Sequence, residues 1–270
     1  MRNLPEHSGQ KVRVDVPGFV IFGLAIGAIT IFFSYYKWWL LVVAAVFLIV
    51  FALYIRRADH PFLTPQFLHN TNWLLPFLVI VIIYFVNFSF TPIFNVMGPK
   101  LYGMSAAHVS LALLPGYIVA TIVGVLSGRV VDKIGSHATI IIATSLLVAG
   151  LVLNALCTTA GMAWLAVGSC LFYAGYGLLY SPLTSTVLSA LSSNEQGRGI
   201  GMNDLAMNVS PSTGTAIFGG LLASPQLGGW SITGVTGSAV IYSNLFLIYA
   251  IIVAVGLVYY LFIHTRIATK

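Results

Sequence analysis

Eight long apolar runs, joined for the most part by short links, dominate this chain of 270 residues. A helix that spans a bilayer needs about 20 mostly apolar residues, and a membrane strand only about 9–11. The runs therefore predict helices over approximately 17–35, 38–55, 74–97, 109–131, 138–157, 162–188, 201–223 and 241–263. Composition leaves no other class open. Charged residues make up 7% of the chain and apolar residues 59%, against about 25% charged in a soluble domain. A water-exposed surface cannot be built from 12 Lys and Arg and 6 Asp and Glu over this length. The expected fold class is an all-α membrane protein with lipid as solvent.

The net charge of +6 is read as basic residues gathered at cytoplasmic helix ends and not as a nucleic-acid surface. With the N-terminus inside and the eight helices alternating, the inner segments hold Arg2, Lys11, Arg13, Arg56, Arg57, Arg129, Lys133, Arg198, Arg266 and Lys270. The outer links hold only Lys37 and Lys100. This asymmetry predicts cytoplasmic termini and a multi-pass protein of the cell membrane. Trp38, Trp39, Trp73 and Trp164 fall near helix ends, where interfacial aromatics sit. The polar stretch before the first run carries Arg2, Glu6, Lys11, Arg13 and Asp15. The run itself ends in Ser34-Tyr35-Tyr36-Lys37 without a small-residue cleavage pattern, so it reads as a retained helix. Cys157 and Cys170 read as small packing residues.

The clearest motif is Gly128-Arg129-Val130-Val131-Asp132-Lys133-Ile134-Gly135, in an inner turn. Gly128 would let another helix approach, and Gly135 would permit a tight turn. Asp132, beside Arg129 and Lys133, would pair with a base or a helix N-terminus. These residues fit a cytoplasmic gate, and equally an ordinary capped turn. Asp204 is the only acidic residue within a predicted span, with Asn208 on the same face four residues on. It is expected either to carry a proton or contact substrate, or to be a solvated cap near Arg198 at the helix start marked by Gly201. Tyr84, Asn87, Thr91 and Asn95 share one face, with Pro92 expected to break the helix. Ser169, Tyr173, Tyr176 and Tyr180 share another. Such faces suit either the lining of a path or helix packing. Gly124-x-x-x-Gly128 reads as packing. His7, His60, His69, His108, His137 and His264 show no metal-ligand spacing on one helix. No nucleophile elbow, Walker loop or paired intramembrane carboxylates occur. No cofactor, no metal, no nucleic-acid partner and no enzymatic activity are expected.

The inner turn resembles the loop signature of the major facilitator superfamily. Gly103-Met104-Ser105, Leu114-Pro115-Gly116, Gly197-Arg198-Gly199, Gly214-Thr215-Ala216-Ile217-Phe218-Gly219-Gly220 and Tyr242-Ser243-Asn244-Leu245 extend the likeness over nearly the whole chain. In order and spacing they are similar to the C-terminal part of the fourteen-helix drug/proton antiporters, and among those to the Gram-positive tetracycline/proton antiporters. Asp15 before Pro17-Gly18 is similar to the entry of that family's extra helix pair. Two departures stand out. Ser136-His137 replaces basic residues after the turn, and Pro211 replaces an acidic residue of the tetracycline exporters.

The resemblance implies a two-plus-six organisation: a cytoplasmic segment over 1–16, two extra helices and a linker over 17–72, a six-helix transporter half over 73–263, and a tail over 264–270. It implies proton-coupled efflux of a small amphipathic compound, along a path expected to include Tyr84, Asn87, Tyr173, Tyr176, Asp204 and Asn208. The lipid bilayer and protons are expected partners, together with an N-terminal half or a second copy of the chain. The alternative expectation is a truncated, non-transporting membrane fragment, or an assembly partner that needs a separate N-terminal half.

Overall fold

The computed structural model of the chain describes residues 15–268, and no strand occurs among them. The calls on the N-terminal stretch before Asp15, including His7, lie outside the described residues. The backbone contacts divide the chain into two units, through His69 and from Asn70 onward.

In the first unit, α1 (Val16–Tyr35) and α2 (Trp39–Ile55) pack against each other as a hairpin. Asp15 caps α1 by accepting from the Gly18 N–H at 2.9 Å, and Pro17 stands at the helix start, where its missing N–H costs nothing. Tyr36 ends the helix in the left-handed region at φ 52°, and its N–H bonds back to the Phe32 carbonyl. Ala25 and Ala28 of α1 and Ala44 of α2 are buried, since small residues let membrane helices approach closely. Val20, Leu24, Ile31, Val42 and Leu53 stand exposed, as a lipid-facing surface requires.

A polar knot ties the open end of this hairpin. The Asp15 carboxylate also accepts from the Tyr54 hydroxyl at 2.5 Å, near the end of α2, and from the Phe62 N–H at 2.9 Å, beyond it. The Phe62 ring stacks on Phe19 at 4.2 Å. A short helix, α3 (Pro65–His69), buries Phe67 completely. Asp15 itself is 8% exposed. Burial raises its pKa, but the hydrogen bonds from Tyr54, Phe62 and Gly18 outweigh this and hold it below the ordinary carboxylate value.

The second unit contains α4 (Thr71–Tyr102), α5 (Ala106–Leu156), α6 (Met162–Ser189), α7 (Gln196–Leu222), the one-turn α8 (Pro225–Gly228), a 3-10 turn (Gly237–Ala239) and α9 (Val240–Ala268). At 51 residues, a straight α5 would run about 76 Å, more than twice the roughly 30 Å of hydrocarbon. It does not run straight. Gly135 takes φ 81° and ψ 159°, a backbone reserved for glycine, and divides α5 into two arms. The contacts with α6 give the direction of each arm. Gly116 lies against Ser169 and Tyr173, and Ala120 and Gly124 against Gly177, so the first arm runs parallel to α6. Ala143 and Leu147 meet Gly175, and Gly150 meets Gly168 and Phe172, so the second arm runs antiparallel to it. The chain thus reverses at Gly135, as the inner-turn motif predicts.

These contacts are tight because the residues are small. A Cβ on Gly177 would lie 2.5 Å from the Ala120 carbonyl oxygen, and one on Gly175 2.5 Å from that of Ala143. Gly124 takes part in this packing. Gly128 does not, for nothing lies within 4 Å of a Cβ built there.

α4 packs against α6, α7 and α9. Its buried face carries Phe90 and Phe94. Phe90 stacks on Phe172 of α6 at 3.9 Å, and both Phe90 and Phe94 meet Phe246 of α9.

The helices α1, α4, α5, α6 and the segment Gly237–Phe262 are long and apolar enough to cross a membrane, and α2 is a shorter apolar helix of 17 residues. With α5 counted as two arms and α7 included, the segments match the eight anticipated. Three details differ. Pro92 does not break α4, which continues through it to Tyr102. A membrane helix absorbs one missing N–H when neighbouring groups re-satisfy the carbonyl it leaves. α7 begins at Gln196 and not at Gly201, which puts Asp204 roughly two turns inside the helix. The link between the predicted helices over 201–223 and 241–263 holds the one-turn α8, and the Asn244 amide pins it to the carbonyls of Leu227 and Trp230.

Two outcomes are expected. Asp15→Ala removes three hydrogen bonds to a carboxylate and lowers the stability of the hairpin by about 2 kcal/mol, seen as faster proteolysis over residues 56–64. Because the folded pKa is depressed, the carboxylate's contribution is complete at neutral pH. It is lost as the pH falls below about 3.9 and through the folded value, a loss that Asp15→Ala does not show. Gly135→Ala forces a Cβ into a glycine-only backbone and costs about 1–3 kcal/mol. A lowered melting midpoint in detergent would register it, with Gly128→Ala close to neutral.

Candidate functional site

α4 and α6 meet so that two of the predicted faces form one wall. Tyr84 is 3% exposed, and its hydroxyl donates to the Asn203 side-chain oxygen of α7 at a long 3.4 Å. Tyr84, Tyr176 and Tyr180, with Ile80, Ile83, Leu179, Leu183 and Thr184, line a narrow, half-open crevice between α4 and α6, with enclosed space for about one water molecule. One turn further along α4, Asn87 is half-buried, and its side-chain oxygen is buried without a hydrogen-bond partner. One turn beyond that, Thr91 contacts the Tyr173 hydroxyl at 2.8 Å and the Tyr117 hydroxyl at 2.9 Å. Tyr84, Asn87, Tyr173 and Tyr176 therefore belong to a single α4–α6 surface, extended by Tyr117 of α5.

Asp204 and Asn208 lie elsewhere. The face of α7 that meets α4 carries Asn203, Ser210, Thr213 and Gly214, all buried. A Cβ on Gly214 would come within 2.8 Å of the Phe85 carbonyl, so α7 crosses α4 closely there. Asp204 and Asn208 occupy the opposite, exposed face, together with Ser212 and Thr215. The spacing of these four follows the helix repeat, and they form a polar stripe about 16 Å long. The Asn208 amide bonds to the Asp204 backbone carbonyl at 2.7 Å, and the Thr215 hydroxyl to that of Pro211 at 2.6 Å. The Asp204 carboxylate, the Asn208 side-chain oxygen and Ser212 thus keep hydrogen-bonding capacity directed outward. α7 is absent from the helices that qualify as long and apolar, since it carries polar residues on both faces.

The inner-turn residues are also accessible. Arg129, Asp132 and Lys133 are exposed on the last turns of the first arm of α5, and Gly135 closes the turn. The Thr139 hydroxyl bonds back to the Gly135 carbonyl at 2.7 Å and secures the second arm. The open space at Gly128 leaves room for a further helix.

Two residues of the site escape sequence reasoning. Asn203 is overshadowed by the charge of its neighbour Asp204. Its spacing of seven from Ser210 is the signal that puts it on the buried face. Tyr117 follows Leu114-Pro115-Gly116, and its place relative to Thr91 depends on how α5 packs, which the linear pattern does not contain.

The family model described as Major Facilitator Superfamily matches residues 17–215. Two curated relatives, both called multidrug resistance protein Stp, come from Mycobacterium tuberculosis strains CDC 1551 / Oshkosh and ATCC 25618 / H37Rv. Each is 23% identical over 221 residues, covering 78% of this chain and 41% of the relative. The chain therefore spans about two fifths of the length of these relatives. With a matched region that takes in most of its helices, this chain belongs to the major facilitator superfamily.

Proposed function

We propose that these helices form the C-terminal part of a proton-coupled exporter of small amphipathic compounds. The observation that carries this reading is the polar stripe on α7. Hydrocarbon offers no hydrogen bonds, and an ionised Asp at a helix centre costs about 2.5–3.5 kcal/mol on insertion scales. A membrane helix that presents Asp204, Asn208, Ser212 and Thr215 outward needs water or protein against that face. An aqueous path walled by a second set of helices supplies both. The curated name of the two relatives, multidrug resistance protein, agrees with drugs as the cargo.

In this reading the chain parses as two extra helices with their linker over 17–72 and a six-helix half over 73–263, with segments 1–16 and 264–270 on the cytoplasmic side of the cell membrane. The fourteen-helix antiporter arrangement supplies the facing wall as an N-terminal six-helix half. A second copy of the chain, related by an axis along the membrane normal, is the other arrangement that preserves orientation. The rival to transport is a membrane fragment or assembly partner that moves nothing until a separate N-terminal half joins it. Asp204 takes up and releases the coupling proton, and Asn208 extends its polar face. Substrate lies along Tyr84, Asn87, Tyr173 and Tyr176, in a wall that is mostly apolar and aromatic with few polar groups. Asp132, flanked by Arg129 and Lys133, forms the cytoplasmic gate, and the space at Gly128 admits the partner helix when it closes. The membrane potential contributes about 2.3 kcal/mol per charge per 100 mV.

Ethidium efflux from sensitised cells tests this. The chain is expressed alone and together with the N-terminal six helices of a fourteen-helix relative. Efflux abolished by a protonophore is expected, and Asp204→Asn is expected to reduce it at least about tenfold, equivalent to about 1.4 kcal/mol. Proton-driven efflux unchanged by Asp204→Asn would remove the coupling role. Efflux by the chain alone would favour the two-copy arrangement, and efflux only on co-expression the complementary half. An absence of efflux in both settings would leave the fragment reading in place of transport.

A further inference from the structure

The segment over 224–239, between α7 and α9, contains no Asp, Glu, Lys, Arg or His, yet it is fixed in place. The Asn244 side-chain amide donates to the Leu227 carbonyl at 2.8 Å and to the Trp230 carbonyl at 2.6 Å. The Thr233 and Ser243 hydroxyls meet at 2.7 Å, and the Ser243 hydroxyl donates to the Ala155 carbonyl, near the end of α5, at 2.8 Å. Val235 and Ala239 are buried. Two large apolar side chains stay out of this packing: Trp230 is 53% exposed and Ile232 is 60% exposed.

The depth of this segment follows from α9. The apolar stretch Gly237–Phe262 has 26 residues, about 39 Å along the helix, against roughly 30 Å of hydrocarbon. About 9 Å of it therefore lies among headgroups. Asn244 is about 10 Å from its start. Even with the whole excess placed at this end, Asn244 reaches the hydrocarbon edge, and so do the Leu227 and Trp230 carbonyls that it holds. Unpaired carbonyls are costly at that depth, and the Asn244 amide meets both. α6 gives a second marker of the same level. Asn154 lies against Gly168, and its chain neighbour Ala155 receives the Ser243 hydroxyl. Trp164 stands one turn outward from Gly168 and is 54% exposed. Trp164 and Trp230 thus lie within about one or two helical turns of the same level, at the end of the helices away from the Gly135 turn.

We propose that the 224–239 segment is a lipid-docking strap, in which Trp230 and Ile232 seat between the headgroups and the upper acyl chains of the leaflet at this end of the helices. The strap extends a lipid-facing surface that is already present, for Trp164 of α6 and Ile251, Val255 and Val258 of α9 are exposed along the same spans. Tryptophan favours this boundary because its ring is apolar while its N–H reaches water or a headgroup oxygen. With no charged side chain in the segment, the contact selects the boundary itself and not an anionic headgroup. The strap is independent of the transport reading. It gives the link a partner, the phospholipid interface, and gives Asn244 and Ser243 the task of holding non-helical backbone at that depth.

Tryptophan fluorescence of the full chain, reconstituted in phosphatidylcholine vesicles, tests this. The Trp230 signal is the difference between the wild type and Trp230→Phe. Lipids brominated high on the acyl chains are expected to quench at least about half of that signal, and lipids brominated at the chain ends clearly less. Aqueous iodide is expected to leave most of it in place. Replacing about one third of the lipid by anionic phosphatidylglycerol is expected to change none of this. Trp73, which is fully buried, is expected to leave residual emission that neither quencher reaches in either protein, a check that both are folded. A Trp230 signal that the shallow bromines do not quench would overturn the strap. Sensitivity to iodide would then put the segment in water. Insensitivity to both quenchers would put a protein surface over it, a complementary half or a second copy.

Discussion

Hydrocarbon supplies no hydrogen bonds, and the rest of this structure follows from that one deficit. The helices satisfy their backbones internally, and their small polar side chains turn inward to do the same. The Thr144 hydroxyl bonds to Ile140, Ser169 to Leu165, and Thr213 to Val209, each at 2.7–3.0 Å. α5 and α6 pack through Gly116, Gly124, Gly150, Gly175 and Gly177, where close backbone contact replaces the hydrophobic drive that lipid cannot provide. Buried Phe90, Phe94, Phe172 and Phe246 fill the space between α4, α6 and α9.

Against this background the exceptions acquire meaning. Asp204 and Ser212 face outward from α7, Asn87 keeps an acceptor without a donor, and Thr91 reaches across to two tyrosines. Thr91 finds its partners on other helices of the unit, whereas Asp204, Ser212 and the Asn87 oxygen have no side-chain partner within it among the described residues. They fall on two surfaces, the exposed face of α7 and the α4–α6 wall, which are linked through the Tyr84–Asn203 contact. The proposed transport path would account for both surfaces with one cause. The Asp15 knot is the contrasting case. Its carboxylate is buried and fully engaged by Gly18, Tyr54 and Phe62, and its work is to close the α1–α2 hairpin.

Much of this is legible in the sequence because apolar run length and glycine chemistry are local. The eight segments follow from hydropathy. The reversal at Gly135 follows from a glycine directly after the charged turn of Arg129, Asp132 and Lys133, and the tyrosine faces from helical spacing. What the sequence hides depends on packing phase. Asp204 draws attention by its charge, yet Asn203 is the residue that α7 turns toward α4. Gly201 looks like a helix start because glycine weakens helices, but α7 is held from Gln196 by tertiary contact. Gly199, for instance, sits against Leu191 and Trp73. Pro92 looks like a break, and α4 carries on through it because its neighbours are fixed. Tyr117 joins Thr91 only once the first arm of α5 lies beside α6.

The central claim is that the outward face of α7 meets water within the membrane. Thiol accessibility tests it most directly. Cys157 and Cys170 are first replaced by alanine, and single cysteines are then placed at Ser212 on the α7 stripe and at Val255, an exposed apolar position on α9. The account requires that Ser212→Cys react with a small charged methanethiosulfonate reagent in intact membranes while Val255→Cys stays protected. An unreactive Ser212→Cys, modified only by a lipid-soluble maleimide as Val255→Cys is, would contradict it.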